Sequence, residues 1–353
     1  MDTHKVRRSV LLFFMLLFVF IPLMITCSVE RNKVQQMIGN NAVYYWKTTW
    51  MLSDEERKFL DEHHIRKIYL RYFDVYAEKD NVSALVPTPV PQATIRFKEP
   101  VPQDVEIIPT VFIDNNLFRY GHMSDYFQKL VDRILIMSET NDIENVREVQ
   151  LDCDGSQTTE SADFNFLEDV NSQLTKNKIE LSVTIRLHQL RMKARPVPRG
   201  VPKCYDTGAL RHYDTGNSIL SAADVAPYAS YLKNYKLSLD IAYPTFSWAA
   251  WFSHDGHLKA LLRDANPADT CLIQVNGNKY RVKYGFYQEG HYLAVDNRVR
   301  FEVSDFKEIM LAKKMLEHQP EGFTVIIYHL DSANLSKYTK DELDKIYNVY
   351  SDI

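Results

Sequence analysis

Cysteine is scarce in this chain. Four occur in 353 residues, at Cys27, Cys153, Cys204 and Cys271. Their spacing matches no zinc-binding pattern. Leaving out Cys27, which belongs to the N-terminal segment treated below, at most one disulfide can form within the chain. We expect Cys153 and Cys204 to be buried apolar residues on strands, because free cysteine is usually buried.

A surplus of positive charge is also absent. The chain carries a formal net charge of −4, and because residues 1–26 carry +2, the remaining 327 residues carry −6. Proteins that bind nucleic acid display a basic patch or stripe. We therefore expect no nucleic-acid partner.

Several enzyme signatures are missing. The sequence contains no H-E-x-x-H, no G-x-S-x-G, no P-loop and no glycine-rich fingerprint after its first predicted strand. We expect no cofactor. His188, Asp154 and His329 could hold a metal only if the fold brought them together, and because their spacing is not typical of metal ligands, no metal is expected.

The N-terminus combines a basic start with a short apolar run. Lys5, Arg7 and Arg8 precede sixteen residues from Val10 to Ile25, fewer than the roughly 20 that span a membrane. This order is typical of a secretory signal peptide, which we place at residues 1–26. An ordinary cleaved signal and an uncleaved anchor remain alternatives, and each predicts export.

The end of the apolar run, Leu23-Met24-Ile25-Thr26-Cys27, resembles a bacterial lipoprotein processing site. The resemblance implies cleavage before Cys27, lipidation of its sulfur and a tether over residues 27–40. The protein would then be an exported, membrane-anchored lipoprotein of a Gram-negative-type cell envelope. Its membrane and its oligomeric state stay open.

From Ala42 onward, short apolar strands alternate with amphipathic helices. We predict strands over 42–48, 68–74, 105–113, 146–154, 181–190, 200–206, 237–243 and 323–331 and helices over 53–63, 122–138, 163–174, 221–233 and 304–317. Alternation of this kind favours a parallel sheet, and eight units favour a closed (β/α)₈ TIM-like barrel over residues 41–353. An open doubly wound sheet is the alternative. The Asn276-Gly277 turn signal predicts a small β insertion at about 255–303, before the last strand.

Alternation along two strands predicts which side chains face the barrel lumen. On the fifth strand these are Arg186 and His188, and on the fourth they are Asp152 and Asp154. Because an unpaired buried charge is costly, we expect Asp152 to pair with Arg186. Asp154 is then left nearer the open mouth.

Barrel enzymes place their active sites at the C-terminal ends of the strands. We therefore predict catalytic roles for Asp154, Asp152 and His188. Paired carboxylates there suit glycoside cleavage, in which one protonates the leaving oxygen and the other attacks or activates water. The predicted ligand-binding residues are Arg186, Trp46, Tyr45, Asp74, Asp206, Trp248 and His329. The aromatic rings among them could stack on sugars or simply pack against neighbouring residues.

Two resemblances follow from these residues. The segment Leu151-Asp152-Cys153-Asp154-Gly155-Ser156 is similar to the fourth-strand motif of chitinase-like glycoside hydrolases, in which a general-acid glutamate stands where this chain has Ser156. Val43-Tyr44-Tyr45-Trp46, Asp152-Cys153-Asp154 and Pro244-Thr245-Phe246 resemble an uncharacterised family of exported bacterial barrel lipoproteins. This likeness implies the barrel and export but no activity.

Two functions therefore stay open. One is a glycoside hydrolase-like enzyme that uses Asp154, and the other is a glycan-binding or structural surface lipoprotein without a general acid. The expected partners are a glycan or another small polar ligand and, through the lipid, a membrane. The cluster of inward charges favours the enzyme, and Ser156 favours the binding protein.

Overall fold

The computed structural model describes residues 41–78, 88–119, 123, 126–144, 146–232, 234–316 and 323–347. The predicted signal peptide at 1–26, the tether at 27–40 and the lipidation site Cys27 lie outside these residues.

Eight parallel strands close into a ring. They are β1 (Asn41–Tyr45), β2 (Lys67–Glu78), β3 (Glu106–Ile113), β4 (Glu148–Cys153), β5 (Glu180–Arg186), β6 (Arg199–Lys203), β7 (Ile241–Pro244) and β8 (Val325–Tyr328). Each pairs with the next along the chain, and β8 pairs with β1. The predicted (β/α)₈ barrel is confirmed.

Helices and a few short strands complete the barrel. The helices are Asp54–Glu62, Asn116–Arg119, Tyr126–Thr140, Glu160–Lys176, Ala222–Leu232, Phe306–Leu316, Ser332–Leu335 and Lys340–Tyr347. Thr49–Trp50 pairs with Arg96–Phe97, Thr88–Gln92 with the end of β2, and Ser238–Leu239 with β6. None of the helices in the described residues is both long and apolar enough to span a membrane.

The first helix shows how local sequence sets an element boundary. Ser53 accepts a hydrogen bond from the backbone N–H of Glu56, and the Glu56 carboxylate accepts one from the backbone N–H of Ser53. This reciprocal capping satisfies two donors that a helix start leaves free. The helix begins at Asp54 for that reason.

Strand β5 is shorter than predicted. It ends at Arg186, where a 3₁₀ helix, Leu187–Arg191, begins, whereas the sequence predicts a strand to residue 190. The Gln189 side chain accepts the backbone N–H of Arg186 at 2.8 Å and donates to the carbonyl of Gly155 at 2.6 Å. These two side-chain hydrogen bonds take the place of the backbone pairing that would extend β5 beyond Arg186.

The β insertion lies between β7 and the helix Phe306–Leu316. Its antiparallel sheet comprises Ser247–Phe252, Leu258–Leu262, Leu272–Asn276, Lys279–Val282 and Arg298–Val303. A two-stranded ribbon, Phe286–Gln288 with His291–Leu293, accompanies it. The insertion predicted before the last strand is confirmed, although its sheet begins at Ser247 rather than near residue 255.

The lumen is filled as strand alternation predicts. The Tyr44 hydroxyl donates to Gln150 at 2.6 Å, and the Gln150 amide donates to Ser182 at 3.4 Å, all three side chains being buried. Cys153 and Cys204 are free and buried, as expected, but only Cys153 lies on a strand, because β6 ends one residue before Cys204. The interior of the barrel is thus a packed core, and a ligand can reach its side chains only at the C-terminal ends of the strands.

Candidate functional site at the barrel mouth

A cluster of charged side chains occupies the C-terminal ends of β4, β5 and β6. Its members, called the mouth cluster here, are Asp152, Asp154, Arg186, Lys203 and Asp206. The Arg186 guanidinium lies 2.6 Å from Asp154 and 3.3 Å from Asp206. Lys203 Nζ lies 2.7 Å from Asp152 and 3.5 Å from Asp154. The fold therefore brings together three carboxylates and two cations.

The predicted pair between Asp152 and Arg186 is wrong. Leu151 of β4 lies opposite Val183 of β5, so Asp152 is level with Thr184 and Asp154 is level with Arg186. The Thr184 hydroxyl donates to Asp152 at 2.5 Å. The register between β4 and β5 decides which side chains of the two strands pair. Alternation within one strand does not determine that register.

Lys203 is the functional residue that sequence reasoning missed. It is 4% exposed and bridges both acids of β4. The sequence contains a feature that could have predicted its role. Lys203 lies in the apolar segment Gly200-Val201-Pro202-Lys203-Cys204, and a lysine that is buried must be paired. The acids it pairs with come from a strand two positions away in the barrel.

Lys203 and Arg186 decide the charge of Asp154, whereas burial raises the pKa of Asp206 despite them. Burial alone would raise the pKa of Asp154, but Lys203 and Arg186 outweigh that effect and hold it well below its usual range. Burial would lower the pKa of Lys203, yet Asp152 and Asp154 keep it above its ordinary value. Asp154 is therefore an ionised carboxylate at neutral pH and does not carry a transferable proton.

A buried network supports the turn that follows β4. Arg195 contacts Asp163 at 3.1 Å and donates to the Cys153 sulfur at 3.1 Å, and both charged side chains are buried. Gly155 packs directly on this pair, since a Cβ there would lie 2.4 Å from Asp163 Oδ2. Gln189 ties the same turn to the end of β5. These buried contacts fix the position of the turn.

Ser156 lies in this turn, at the position that the chitinase-like resemblance gives to the general acid. Its hydroxyl is 3.0 Å from the Thr158 hydroxyl and 3.1 Å from the Thr159 hydroxyl. Its backbone N–H donates to Thr159 at 2.9 Å. The residue caps its own turn and offers no carboxyl group.

Aromatic rings form one side of the mouth. Tyr328, at the end of β8, has ring centroids of Tyr44, Trp46, Tyr205 and Phe246 at 4.8 to 5.7 Å. The sequence predicted Trp46 in this place but not Tyr205 or Tyr328. The sequence predicts a strand over 323–331 with Tyr328 inside it, whereas the strand ends at Tyr328, so its position at the mouth could not be predicted.

An ion pair borders this aromatic group. Arg71 and Asp74 form it on β2, with Arg71 Nε 2.8 Å from Asp74 Oδ1. The Arg71 guanidinium also lies 5.5 Å from the Trp46 ring centroid. Predicted binding residue Asp74 is therefore at the mouth, but it is already paired.

Two predicted site residues do not line the lumen. Tyr45 is fully buried on the outer side of β1, 4.7 Å from the Trp50 ring, and its hydroxyl donates to the carbonyl of Thr49. His188 lies in the 3₁₀ helix and is exposed, because β5 ends before it. Partial burial and the charge of Arg186 lower the pKa of His188, so it is neutral at pH 7.

His329 and Trp248 lie near the aromatic side. Burial lowers the pKa of His329 to about 4, and its buried Nδ1 has no hydrogen-bond partner among the described residues. Trp248 Nε1 donates to the buried carboxylate of Glu302, and its ring lies 5.0 Å from Phe246. Trp248 therefore joins the insertion sheet to the mouth.

No metal centre is found in the part of the chain that the structure describes. No group of three or more His, Cys, Asp or Glu side chains is placed there to hold a metal ion. Asp154 is paired with Arg186 and Lys203 rather than with a histidine.

Comparison with solved structures shows what this architecture is similar to. A chitinase from Chromobacterium violaceum matches with a TM-score of 0.54 and 10% identity over 88% of this chain and 98% of that chain. A class V chitinase from Nicotiana tobaccum matches with a TM-score of 0.51 and 9% identity over 88% and 99%. The spore cortex-lytic enzyme SleL of Bacillus cereus matches with a TM-score of 0.50 and 12% identity over 87% and 73%.

Comparison of the amino-acid sequence with protein families and curated proteins finds no match. At about 10% identity the structural likeness concerns the fold alone. The chain shares its barrel fold with these chitinases and with SleL, as the sequence resemblance implied.

Proposed function

We propose that this chain is an exported, lipid-anchored protein that binds a glycan at the mouth of a chitinase-like barrel without cleaving it. The observation that carries the proposal is Ser156, which stands where the chitinase-like motif has its acid. Asp154, the carboxylate two residues before it, offers no replacement, because Lys203 and Arg186 keep it ionised.

Hydrolysis of a glycoside needs a group that is protonated at working pH and can give its proton to the leaving oxygen. Asp74, Asp152, Asp154 and Asp206 each lie within ion-pair distance of an arginine or lysine. Lys203 and Arg186 favour the ionised form of Asp154. A serine hydroxyl is too weak an acid to take over the role.

Binding has better support than catalysis. A Group IV chitinase from Ostrinia furnacalis that shares the fold, with a TM-score of 0.50, was solved with allosamidin. In this chain the C-terminal end of the barrel combines charged hydrogen-bonding groups with the rings of Trp46 and Tyr328. Such a mixture suits sugars, which present hydroxyl groups at their edges and apolar faces to aromatic rings.

The test is a panel of soluble oligosaccharides, including the N-acetylglucosamine tetramer and peptidoglycan fragments. Binding is measured by calorimetry and cleavage by release of reducing ends. The wild type should bind at least one glycan and release none. Trp46→Ala should weaken binding by about 2- to 30-fold, the equivalent of roughly 0.5–2 kcal/mol for a lost stacking ring.

Tyr231→Ala is the matched control, because this exposed ring lies on the helix Ala222–Leu232, and it should leave binding unchanged. Reducing ends released by the wild type and abolished in Asp154→Asn would support the hydrolase instead. A wild type that neither binds nor cleaves any glycan would contradict both functions.

A further inference from the structure

Exposed apolar side chains are concentrated on the β insertion. Twelve large hydrophobic residues are exposed among those the structure describes, and seven of them lie between residues 273 and 303. An apolar or aromatic patch exposed to water often marks an interaction surface. The two-stranded ribbon of the insertion carries the most exposed of these residues.

The ribbon presents a pair of tyrosines. Tyr287 and Tyr292 lie directly opposite each other across its two strands, so they share one face. Their ring centroids are 5.2 Å apart, and the side chains are 76% and 53% exposed. Leu293 points the other way and is buried in the core of the insertion. The outer face of the ribbon is therefore aromatic.

Local geometry holds these rings in place. Glu289 and Gly290 form the turn with φ values of 48° and 78°, which gives a tight hairpin. Gly285 makes room for the end of Tyr292, since a Cβ there would lie 2.3 Å from the hydroxyl. The pair is presented by a short, bounded hairpin, so binding needs little further ordering.

The ribbon is joined to the rest of the insertion, and through it to the mouth. The Glu289 carboxylate accepts the backbone N–H of Asp264 at 2.8 Å. His291 of the ribbon lies 5.6 Å from the ring of Trp251, and Trp248 of the same insertion strand has its ring 5.0 Å from Phe246 at the mouth. The tyrosine pair thus belongs to an element that borders the proposed glycan site.

The surface area of the tyrosine pair helps to decide whether its ligand is a protein or a carbohydrate. A stable protein interface buries about 800 Å² on each partner, whereas complete burial of both rings would remove only about 200–300 Å². Two neighbouring rings with hydroxyl groups instead match the apolar faces and hydroxyl edges of successive sugar residues. The ring chemistry and the small area favour a carbohydrate over a second protein.

We infer that Tyr287 and Tyr292 form a second glycan contact, and that the ligand is a polymer long enough to lie on the ribbon and in the mouth at once. This inference rests on the proposed function, which it deepens by naming a polymeric rather than a short glycan. Binding at two linked contacts raises the affinity for the polymer above that for a fragment.

The experiment compares a soluble N-acetylglucosamine tetramer with insoluble chitin and isolated peptidoglycan. The variants are Tyr287→Ser with Tyr292→Ser, Tyr287→Phe with Tyr292→Phe, Trp46→Ala and the control Tyr231→Ser. The serine pair should lose about ten-fold or more in affinity for whichever polymer the wild type binds. It should keep the wild-type affinity for the tetramer, and the phenylalanine pair should retain most polymer binding because its rings remain.

The two proposals fail in different ways. If Trp46→Ala weakens tetramer binding while the serine pair holds the polymer as well as the wild type does, the ribbon contact is refuted and the mouth stands. If the serine pair changes the sedimentation coefficient instead of polymer binding, the ribbon is a self-association surface and the inference is wrong. A wild type that binds neither form overturns both proposals.

Discussion

At the scale of single residues, Lys203 has the largest electrostatic effect in the mouth cluster. It is almost fully buried and contacts two carboxylates of β4, and together with Arg186 it outweighs the desolvation of Asp154. A hydrolase needs one of these groups to change its protonation state during the reaction. A buried lysine that helps to keep Asp154 ionised suits a site that binds a ligand by hydrogen bonds to fixed charges.

Replacing this residue by an apolar one of similar length, Lys203→Met, should lower the free energy of unfolding at pH 7 by about 3–5 kcal/mol, because it leaves carboxylates without their cation. The folded-state pKa of Asp154 is lowered, so its contribution is present above pH 4 and is lost as the pH falls further. The deficit of the variant should therefore shrink below pH 4 in urea titrations.

The control is Lys58→Met, because Lys58 pairs with Glu62 at 3.7 Å on an exposed helix face and should contribute less than about 1 kcal/mol. A Lys203→Met variant as stable as the wild type at pH 7, or a deficit that does not change with pH, would show that the ion pairs do not stabilise the mouth.

At the scale of elements, the turn after β4 depends on residues that never reach the mouth. Arg195 and Asp163 lie behind it, and Gly155 packs against them with no room for a side chain. This contact sets where the turn leaves the strand. Asp154 and Ser156, on either side of Gly155, take their positions from it.

Gly155→Ala should accordingly cost about 1–3 kcal/mol of stability, as overpacking in a tight core does, and should weaken glycan binding by displacing Asp154. Gly216→Ala is the matched control, because a Cβ at Gly216 meets nothing within 4 Å. Thermal melting and calorimetry measure both effects. Equal behaviour of the two variants would mean that the turn has room to adjust.

Within each element, the sequence predicts much of the structure. Alternation places Thr184 and Arg186 inward because every second side chain of a strand faces one way, and the structure confirms it. The partner of Arg186 could not be predicted, because it depends on the offset between β4 and β5. His188 was misplaced because Gln189, a residue without a strong turn signal, ends the strand.

At the scale of the whole molecule, the direction of the chain relates the mouth to the N-terminus. Strand β1 begins at Asn41, whose side chain donates to the carbonyl of His63, and runs toward Trp46 and the aromatic side of the mouth. The proposed tether, residues 27–40, therefore joins the barrel at the end opposite to the mouth. Fourteen residues span at most about 50 Å, so the proposed lipid anchor would limit how far the barrel can lie from the membrane.

The lipid anchor itself is tested in cells with Cys27→Ala. Because a basic start and an apolar run precede Cys27, lipidation should hold the wild type in the membrane fraction, and the variant should become soluble after export. Cys271→Ala, in the insertion, is the control and should stay with the membrane. A variant that remains in the membrane fraction with residues 1–26 still attached would refute lipidation and indicate an uncleaved anchor.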